Sequence, residues 1–341
     1  MIGGSIAAAL RQRGWVVAGD DALPGRADQA LARGIVDETG QFADAEITFV
    51  AAPVLAVPEL VRRALATTNG VVTDVGSTKG SIVAAVEDPR FVGGHPMAGS
   101  ELDGLDGADP EMFGGAVWVL TPTATTDNGT FATVAGVVAE LGAEVVALAA
   151  ERHDEVVAVI SHVPHLTAAT LMELASERAE EHAALLRLAA GGFRDMTRIA
   201  AGNPTMWLDI CSDNRQAIVA TLDGLVGRLT AMREIVAGEE RDRLEATLRH
   251  AREARTNLPV RGTQPHELAE LRIPIPDRPG AAAEVFTLAA ELGVNIASFE
   301  VVHSVEGNRG VAVVLVDASN TDLFRGGLIA RGYRPAVERL G

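Results

Sequence analysis

Short apolar runs alternate with amphipathic stretches through the first 150 residues of the chain. Runs of about four to eight apolar residues between turn residues are typical of buried strands, and apolar positions about three or four apart are typical of helices. Strands that alternate with helices form a parallel sheet, which binds its ligands at the carboxyl ends of the strands. We therefore predict an α/β domain over residues 1–150. Its predicted strands cover 46–53, 115–122 and 144–148, and a further strand begins the stretch 70–80 and runs into a loop that opens a helix. Its other predicted helices cover 57–67 and 130–141.

The first residues follow the order of a dinucleotide-binding unit. Met1-Ile2-Gly3-Gly4-Ser5 leads into a helical pattern, and 15–21 is predicted as a strand that ends in Asp21. In a βαβ unit of this kind, Gly3 is the last glycine of GxGxxG, and an acid after the second strand binds the adenosine ribose. A glycine-initiated helix followed by any strand gives the same pattern, so this segment leaves both interpretations open. Under the first, a strand and two glycines are missing, and we expect roughly ten residues to precede this segment.

A single imidazole, His95, lies in a segment of glycines, a proline and small residues over 93–101. The segment follows the apolar pair Phe91-Val92 and is predicted as a loop. Glycine has no Cβ, so such a loop lets the backbone and the imidazole approach a ligand closely. A histidine placed there can serve as a general base. A tight turn with a surface histidine is the alternative that this segment alone leaves open.

The pattern changes over 151–256 to long amphipathic helices with few strand signals. Helices this long and this apolar usually pack against each other or against a second subunit. The apolar positions that repeat at helical spacing are Leu222, Leu225, Val226, Leu229, Met232 and Ile235.

Two segments of the helical region place polar side chains near a turn. Ser161-His162-Val163-Pro164-His165 contains a proline that is expected to break a helix and to leave Ser161 and His165 on one face. The stretch 191–198 places Arg194 and Arg198 beside a glycine turn, ahead of a predicted helix start at 203–204. A capped or surface position is the alternative for each histidine. No acid or cysteine joins the two histidines at ligand spacing, so no metal site is expected.

The last third of the chain contains a linker and a second small domain. Prolines and a glycine over 257–267 mark the linker. Over 268–341 the predicted order is strand, helix, strand, strand, helix, strand, which is the βαββαβ order of a ferredoxin-like domain.

Composition and charge narrow the class of protein. A chain of 341 residues is long enough for two or three domains, and 48% hydrophobic with 22% charged residues is typical of a globular protein. The net charge of −17 argues against nucleic acid or an anionic membrane as a partner, so an anionic substrate needs local cations. A single cysteine excludes an intrachain disulfide, and no signal peptide or apolar run of about 18 residues is present. We expect a cytoplasmic protein.

In combination, the motifs resemble the prephenate/arogenate dehydrogenase family with a C-terminal ACT domain. The resemblance covers essentially the whole chain, and several long motifs in one order are more specific than a lone GxGxxG. The motifs are Asp74-Val75-Gly76-Ser77-Thr78-Lys79-Gly80, Gly94-His95-Pro96-Met97-Ala98-Gly99-Ser100-Glu101, Ser161-His162-Val163-Pro164-His165, the run 191–198 with Asn203-Pro204 and Trp207, and Asp277-Arg278-Pro279-Gly280. The departure from the family pattern is the first strand with its glycine pair.

The resemblance implies a reaction and a role for each residue. Prephenate carries a hydroxyl on C4, and loss of that proton together with hydride transfer to a nicotinamide expels carbon dioxide and forms an aromatic ring. His95 is implied as the acceptor of the proton, and Ser77 as a hydrogen-bonding partner of the hydroxyl or the histidine. Arg198 is implied as the fork that binds a substrate carboxylate, with His165 and Ser161 lining the same pocket. Arg194 and Lys79 are weaker candidates, for structure or charge balance.

The resemblance also implies the cofactor. Gly3, Pro53 and Ser77 are expected to contact it, and Asp21 is placed to bind the adenosine ribose. A carboxylate there favours NAD over NADP, whereas Arg26 keeps NADP possible.

The C-terminal domain resembles modules that bind amino acids at domain interfaces. This implies tyrosine as a feedback effector, bound by Asp277, Gly280 and Asn295, in a homodimer. A purely dimerising domain is the alternative.

Two further classes of function remain open on the sequence. Other dehydrogenases of hydroxy acids also join a Rossmann domain to a helical dimerisation domain, but they usually depend on a lysine base. An amino-acid-binding regulatory protein with impaired catalysis is the other alternative. No motif separates prephenate from arogenate, which differ by a keto against an amino group on the side chain.

Overall fold

The computed structural model describes residues 1–100, 102, 104–181, 189–258, 268–276, 278, 280–303 and 309–339. The chain divides into two compact units, Met1–Ala231 and Met232–Gly341. Most of the predicted linker, Glu101 of the histidine segment and Asp277 lie outside the described residues.

A five-stranded sheet forms the centre of the first unit, in the order β3-β4-β5-β6-β7. Its strands are β3 (Ile47–Val50), β4 (Val71–Asp74), β5 (Phe91–Pro96), β6 (Val117–Thr121) and β7 (Glu144–Ala147). The neighbouring pairs are parallel except β5 and β6, which are antiparallel. The prediction of a wholly parallel sheet is therefore wrong at this pair. The described part of the β5–β6 connection holds only a short 3₁₀ turn, Gly104–Gly107, and no crossover helix that would return the chain for a parallel strand.

Five helices and a two-stranded sheet surround the five-stranded sheet in this unit. The elements are α1 (Ile2–Gln12), β1 (Ala18–Gly19), α2 (Arg26–Ala32), β2 (Glu38–Thr39), α3 (Val57–Thr67), α4 (Gly80–Ala85) and α5 (Asn128–Glu140). The predicted bounds of α3 are confirmed, and Pro58 near its start suits the first helical turn. The predicted strand over 15–21 is shorter, because only β1 pairs there, in parallel with β2.

Helices cover both faces of the five-stranded sheet. Adjacent residues of a strand point to opposite faces, and Phe91 and Val92 belong to different clusters of buried side chains. The Phe91 cluster includes residues of α3 and α4, and the Val92 cluster includes residues of α1 and α5. Burial on both faces explains why these strands are continuous apolar runs.

The helices that directly follow β7 are α6 (Ala150–Val157), α7 (Val163–Glu181), α8 (Gly191–Thr197), α9 (Pro204–Asp213), α10 (Arg215–Ala237) and α11 (Arg241–Thr256). The predicted break at Pro164 is wrong, because α6 continues into α7 through a π-helical turn, Ala158–His162. Proline has no N–H and its ring clashes with the carbonyl four residues earlier, and the wider π turn accommodates both.

One helical stretch among the described residues, Ala150–Arg178, is long and apolar enough to cross a membrane by length and composition alone. Its first turns carry His153 and Asp154, which hydrogen-bond to residues at the edge of the five-stranded sheet. These contacts belong to a helix that packs within the domain.

The second unit contains an antiparallel sheet in the order β11-β8-β10-β9. Its elements are β8 (Leu268–Pro276), α12 (Ala281–Leu292), β9 (Ile296–His303), β10 (Arg309–Asp317), α13 (Thr321–Ala330) and β11 (Ala336–Arg339). The predicted βαββαβ order is confirmed. Alternate strand residues such as Ile273 and Val314 pack with Val285 and Phe324 of the two helices. Gly280 precedes α12 with φ at 89°, a left-handed conformation that favours glycine.

Candidate active site

The turn after β4 is held by a buried ion pair. Asp74 and Lys79 are both fully buried and bond each other. The Asp74 carboxylate also accepts from Gly76 N at 2.7 Å and from Gly94 N at 3.1 Å. Burial lowers the pKa of Lys79, while the Asp74 carboxylate opposes that change. Lys79 therefore orders the turn that carries Ser77.

His95 lies in a strand, so the predicted loop is wrong over 93–96, whereas residues 97–100 form no helix or strand. Strand β5 extends to Pro96, and His95 is the pairing partner of Val119 in β6. The glycines serve close packing: a Cβ on Gly94 would lie 2.6 Å from the Asp74 backbone oxygen. At Gly94 the closely approaching group is the neighbouring strand, and the approach of a ligand stays a prediction.

A chain of three hydrogen-bonded side chains begins at His95. Its Nδ1 lies 2.8 Å from Nε2 of His153, and Nδ1 of His153 lies 2.8 Å from Oδ1 of Asp154. His153 is only 1% exposed. The Asp154 carboxylate also accepts from the backbone N–H groups of Lys79 and Gly80, each at 2.8 Å. The first turn of α6 is thereby tied to both the β4 turn and the end of β5.

The protonation states of this chain follow from burial and from charge. Burial lowers the pKa of His95 well below its ordinary value of 6.5, and His153, Lys79 and His162 add to that effect. Burial by itself would raise the pKa of Asp154, but hydrogen bonds from His153, Gly80 and Lys79 bring it below its ordinary value. At neutral pH His95 is neutral and Asp154 is ionised. A neutral imidazole is the form that accepts a proton.

The helical region contributes a second set of histidines. Asn214 Nδ2 donates to the Asp154 backbone oxygen at 2.8 Å and lies 3.2 Å from Nδ1 of His162. Burial lowers the pKa of His162 to about 4. The His165 ring stacks on Trp207, with centroids 3.6 Å apart, and His162 meets Trp207 edge-on.

The 3₁₀ turn Arg198–Ala201 lies beside His165. The backbone of Ile199 hydrogen-bonds to His165 and opposes the lowering of its pKa by burial. A Cβ on Gly202 would lie 3.1 Å from the His165 ring and 3.0 Å from Trp207 Nε1, so the turn packs closely on both rings. Arg198, at the start of this turn, is exposed.

The structure brings the predicted residues together in two groups. One contains His95 with the β4 turn, and the other contains His165 with the turn that begins at Arg198. Asp154, Asn214 and His162 connect the groups. Ser77 and Ser161 are half-buried, in the β4 turn and the π turn respectively.

His153, Asp154 and Asn214 were not predicted from the sequence. A His-Asp dipeptide early in a helix after a strand is the only sequence signal for the first two, and it is weak by itself. Among the described residues, no three His, Cys, Asp or Glu side chains are grouped as metal ligands would be.

The sheet edge at α1 has features that fit a dinucleotide. A Cβ on Gly3 would lie 2.9 Å from the Ala51 side chain, so glycine lets the first turn of α1 lie against the end of β3. No side chain caps that turn, which leaves its amides for an anion such as a phosphate. Asp21 is exposed after β1, where it accepts from Leu23 N at 2.8 Å, and Pro53 is exposed after β3. Arg26 lies 4.0 Å from Asp21.

In the second unit, Gly280 and Asn295 lie just before α12 and just before β9, and Asn295 is exposed. Asp277, the third residue predicted for effector binding, lies outside the described residues.

Comparison with known protein families agrees with this architecture. The family model described as "Prephenate dehydrogenase, nucleotide-binding domain" matches residues 6–147, and "Prephenate dehydrogenase, dimerization domain" matches residues 149–250. Fold and site define the class as NAD-dependent dehydrogenases that join a Rossmann-like domain to a helical dimerisation domain. The chain belongs to the prephenate dehydrogenase family.

Individual relatives support the same assignment. Prephenate dehydrogenase of Bacillus subtilis is 32% identical over 328 residues, which cover 91% of this chain and 88% of the relative. The structure of prephenate dehydrogenase from A. aeolicus, in complex with hydroxyphenyl propionate and NAD+, is 30% identical with a TM-score of 0.71, over 76% of this chain and 95% of that one. The structure of Synechocystis arogenate dehydrogenase is 29% identical with a TM-score of 0.65, over 74% and 95%.

Proposed function

We propose that this protein converts prephenate to 4-hydroxyphenylpyruvate by oxidative decarboxylation with NAD, a step of tyrosine biosynthesis. The observation that carries the proposal is a neutral, half-buried His95 at the carboxyl end of β5, on a sheet whose family matches are nucleotide-binding domains. The named activity of the B. subtilis relative and the NAD+ bound in the A. aeolicus structure support it.

His95 is the proposed base. A neutral imidazole accepts the C4 hydroxyl proton as the carbon loses its hydride, and aromatisation after loss of carbon dioxide makes the step irreversible. Bound NAD supplies the hydride acceptor. Ser77 orients the hydroxyl or the histidine from the turn that Asp74 and Lys79 hold rigid.

Arg198, His165 and Ser161 form the proposed substrate pocket. An exposed guanidinium can bind a carboxylate through two parallel hydrogen bonds, and it supplies the local cation that a chain of net charge −17 needs. The stacking of His165 on Trp207 fixes its ring beside the Arg198 turn.

Gly3, Asp21, Pro53 and Ser77 form the proposed NAD contacts. The Asp21 carboxylate is placed to bind the ribose hydroxyl and to repel the 2′-phosphate of NADP. Arg26, 4.0 Å from Asp21, is the residue that would favour NADP.

The similarity to Synechocystis arogenate dehydrogenase supports arogenate as the alternative substrate. An amino-acid-binding protein with impaired catalysis is the third alternative. Its support is the βαββαβ unit.

We further propose domains at 1–150, 151–256 and 268–341 around the linker 257–267, with the last an ACT domain that binds tyrosine through Asp277, Gly280 and Asn295. A cytoplasmic homodimer is the proposed state of the protein. Apolar side chains that α10 leaves exposed support a second subunit at this helix. They are Val219, Val226, Leu229 and Val236.

A steady-state assay with prephenate and arogenate, each with NAD and with NADP, tests the proposed activity. We expect the highest kcat/KM with prephenate and NAD, with release of carbon dioxide and appearance of the product's aromatic absorbance. A higher kcat/KM with arogenate would select the alternative substrate, and faster turnover with NADP would contradict the role of Asp21. Absence of turnover with tyrosine binding intact would favour the regulatory protein.

A further inference from the structure

We propose that His153 and Asp154 are positioning residues that hold the proton of neutral His95 on Nδ1 and keep Nε2 as the base. The inference rests on the proposed function, because it deepens the role of His95 in that reaction. The two residues lie 58 and 59 positions after His95, in the first turn of α6.

The direction of each hydrogen bond follows from the ionised carboxylate. Asp154 can only accept, so Nδ1 of His153 carries the proton in the 2.8 Å contact between them. An imidazole ring that carries one proton, on Nδ1, has a lone pair on Nε2. The 2.8 Å contact with His95 requires a proton on Nδ1 of His95, which leaves the lone pair on its Nε2.

The Asp154 carboxylate, which sets the direction of these hydrogen bonds, is itself held in place. Oδ1 of Asp154 accepts from Lys79 N, and Oδ2 accepts from Gly80 N. Two backbone donors therefore orient the carboxylate independently of His153. The same donors belong to the turn that carries Ser77, so the His95 tautomer and the Ser77 position depend on one anchor.

The surroundings of His95 favour transfer of a proton from His95 to His153. Burial of its ring, together with the ammonium of Lys79 in the β4 turn, disfavours a cation on His95. Lys79 is offset by Asp74, to which it is paired. A positive charge is better placed beside a carboxylate than on His95.

The proton step balances within the three side chains. Nε2 of His95 forms an N–H bond with the hydroxyl proton, whose bonding electron pair stays on the oxygen. As this bond forms, the Nδ1–H bond of His95 breaks and Nε2 of His153 gains that proton. His95 ends neutral, and His153 ends as an imidazolium beside the Asp154 carboxylate.

The tautomer can be read directly from ¹⁵N NMR of the histidine-labelled protein without substrate. The chain has eight histidines, and comparison with His95→Asn assigns the His95 signals. We expect a protonated Nδ1 and an unprotonated Nε2 above pH 7. A protonated Nε2 would overturn the proposal, whatever substrate the enzyme uses, so this result is separate from failure of the proposed function.

Kinetics of Asp154→Asn test whether the Asp154 carboxylate stabilises the imidazolium that forms on His153. We expect kcat to fall about 10- to 100-fold with KM changed less than about twofold, as for loss of a charge-assisted hydrogen bond in the transition state. Without the carboxylate, a proton held by the two imidazoles is less stable, so the acid limb of kcat/KM moves to lower pH. Asp242→Asn, on the exposed face of α11, is the matched control. It should leave kcat and the acid limb of kcat/KM unchanged.

A merely structural role for α6 gives a different result. If Asp154→Asn lowered kcat and raised KM together with the acid limb unmoved, His153 and Asp154 would only pack the helix, and the proposal would fail. His153→Gln provides the second test if the first variant does not fold. Its amide oxygen reaches about as far as Nε2 of histidine and can accept from Nδ1 of His95, so it should retain more activity than His153→Phe.

Discussion

At the scale of single residues, the chemistry depends on burial more than on residue type. His95 and His162 are both neutral well below the ordinary pKa of histidine because burial penalises the charged form. Lys79, a candidate for structure or charge balance on the sequence, is fully buried against Asp74 and serves the turn. Only the environment separates these roles.

Replacing the proposed base is the most direct test at this scale. His95→Asn should lower kcat by about 10²- to 10⁴-fold, the usual contribution of a positioned general base, while substrate binding stays measurable by calorimetry. His250→Asn, at an exposed position of α11, is the control. Unchanged turnover in His95→Asn would remove His95 from the mechanism.

Burial of His162 predicts a pH dependence of stability. Its pKa is about 4 in the folded protein and 6.5 when unfolded, so between these values the unfolded state binds more protons. The contribution of His162 to the free energy of unfolding should therefore be constant above pH 6.5. It should fall by up to about 3 kcal/mol as the pH drops to 4. Urea denaturation at pH 8 and at pH 5 measures it. His162→Gln should show a smaller difference between the two pH values, and an equal difference would contradict the assignment.

At the scale of elements, some helices and strands follow from the local sequence pattern, whereas others form only because tertiary contacts pair them. The periodicity of 57–67 is sufficient to predict α3, since its apolar face and Pro58 are local signals. The glycines before His95 favour a loop by the same local rules, but strand β5 continues through them because Asp74 and β6 supply its hydrogen-bond partners. Tertiary contacts override glycine propensity here.

Two glycine substitutions separate close packing from simple backbone freedom. Gly94→Ala places a Cβ 2.6 Å from the Asp74 backbone oxygen, so β5 must shift away from β4, and we expect loss of both stability and activity. Gly136→Ala, in the exposed interior of α5, meets nothing within 4 Å and should raise the free energy of unfolding by about 0.5–1 kcal/mol. Thermal melting and the steady-state assay measure both effects. Equal behaviour of the two variants would show that Gly94 is not a packing requirement.

At the scale of the whole molecule, a catalytic unit and a βαββαβ unit share one chain. The catalytic part of the chain matches two domain models of the prephenate dehydrogenase family, over residues 6–147 and 149–250. The βαββαβ unit has its own core between one sheet face and two helices. A separate core is what a domain that folds by itself requires.

Calorimetry with the full-length protein tests tyrosine as the effector. We expect binding that Asn295→Ala weakens about tenfold or more, because an exposed side-chain amide before β9 can hydrogen-bond an amino acid. Thr287→Ala, on the exposed face of α12, is the control. No heat of binding to the full-length protein would leave dimerisation as the role of this unit.

The sequence by itself determined most of the order of elements and the family, and it predicted His95 as the base, because apolar periodicity and contiguous motifs are local properties. It did not determine that β5 and β6 are antiparallel, or that His153 and Asp154, almost 60 positions away, meet His95. Those contacts depend on how α6 packs against the carboxyl edge of the sheet. Periodicity records which face of a helix is buried, but only the folded chain decides which side chains meet there.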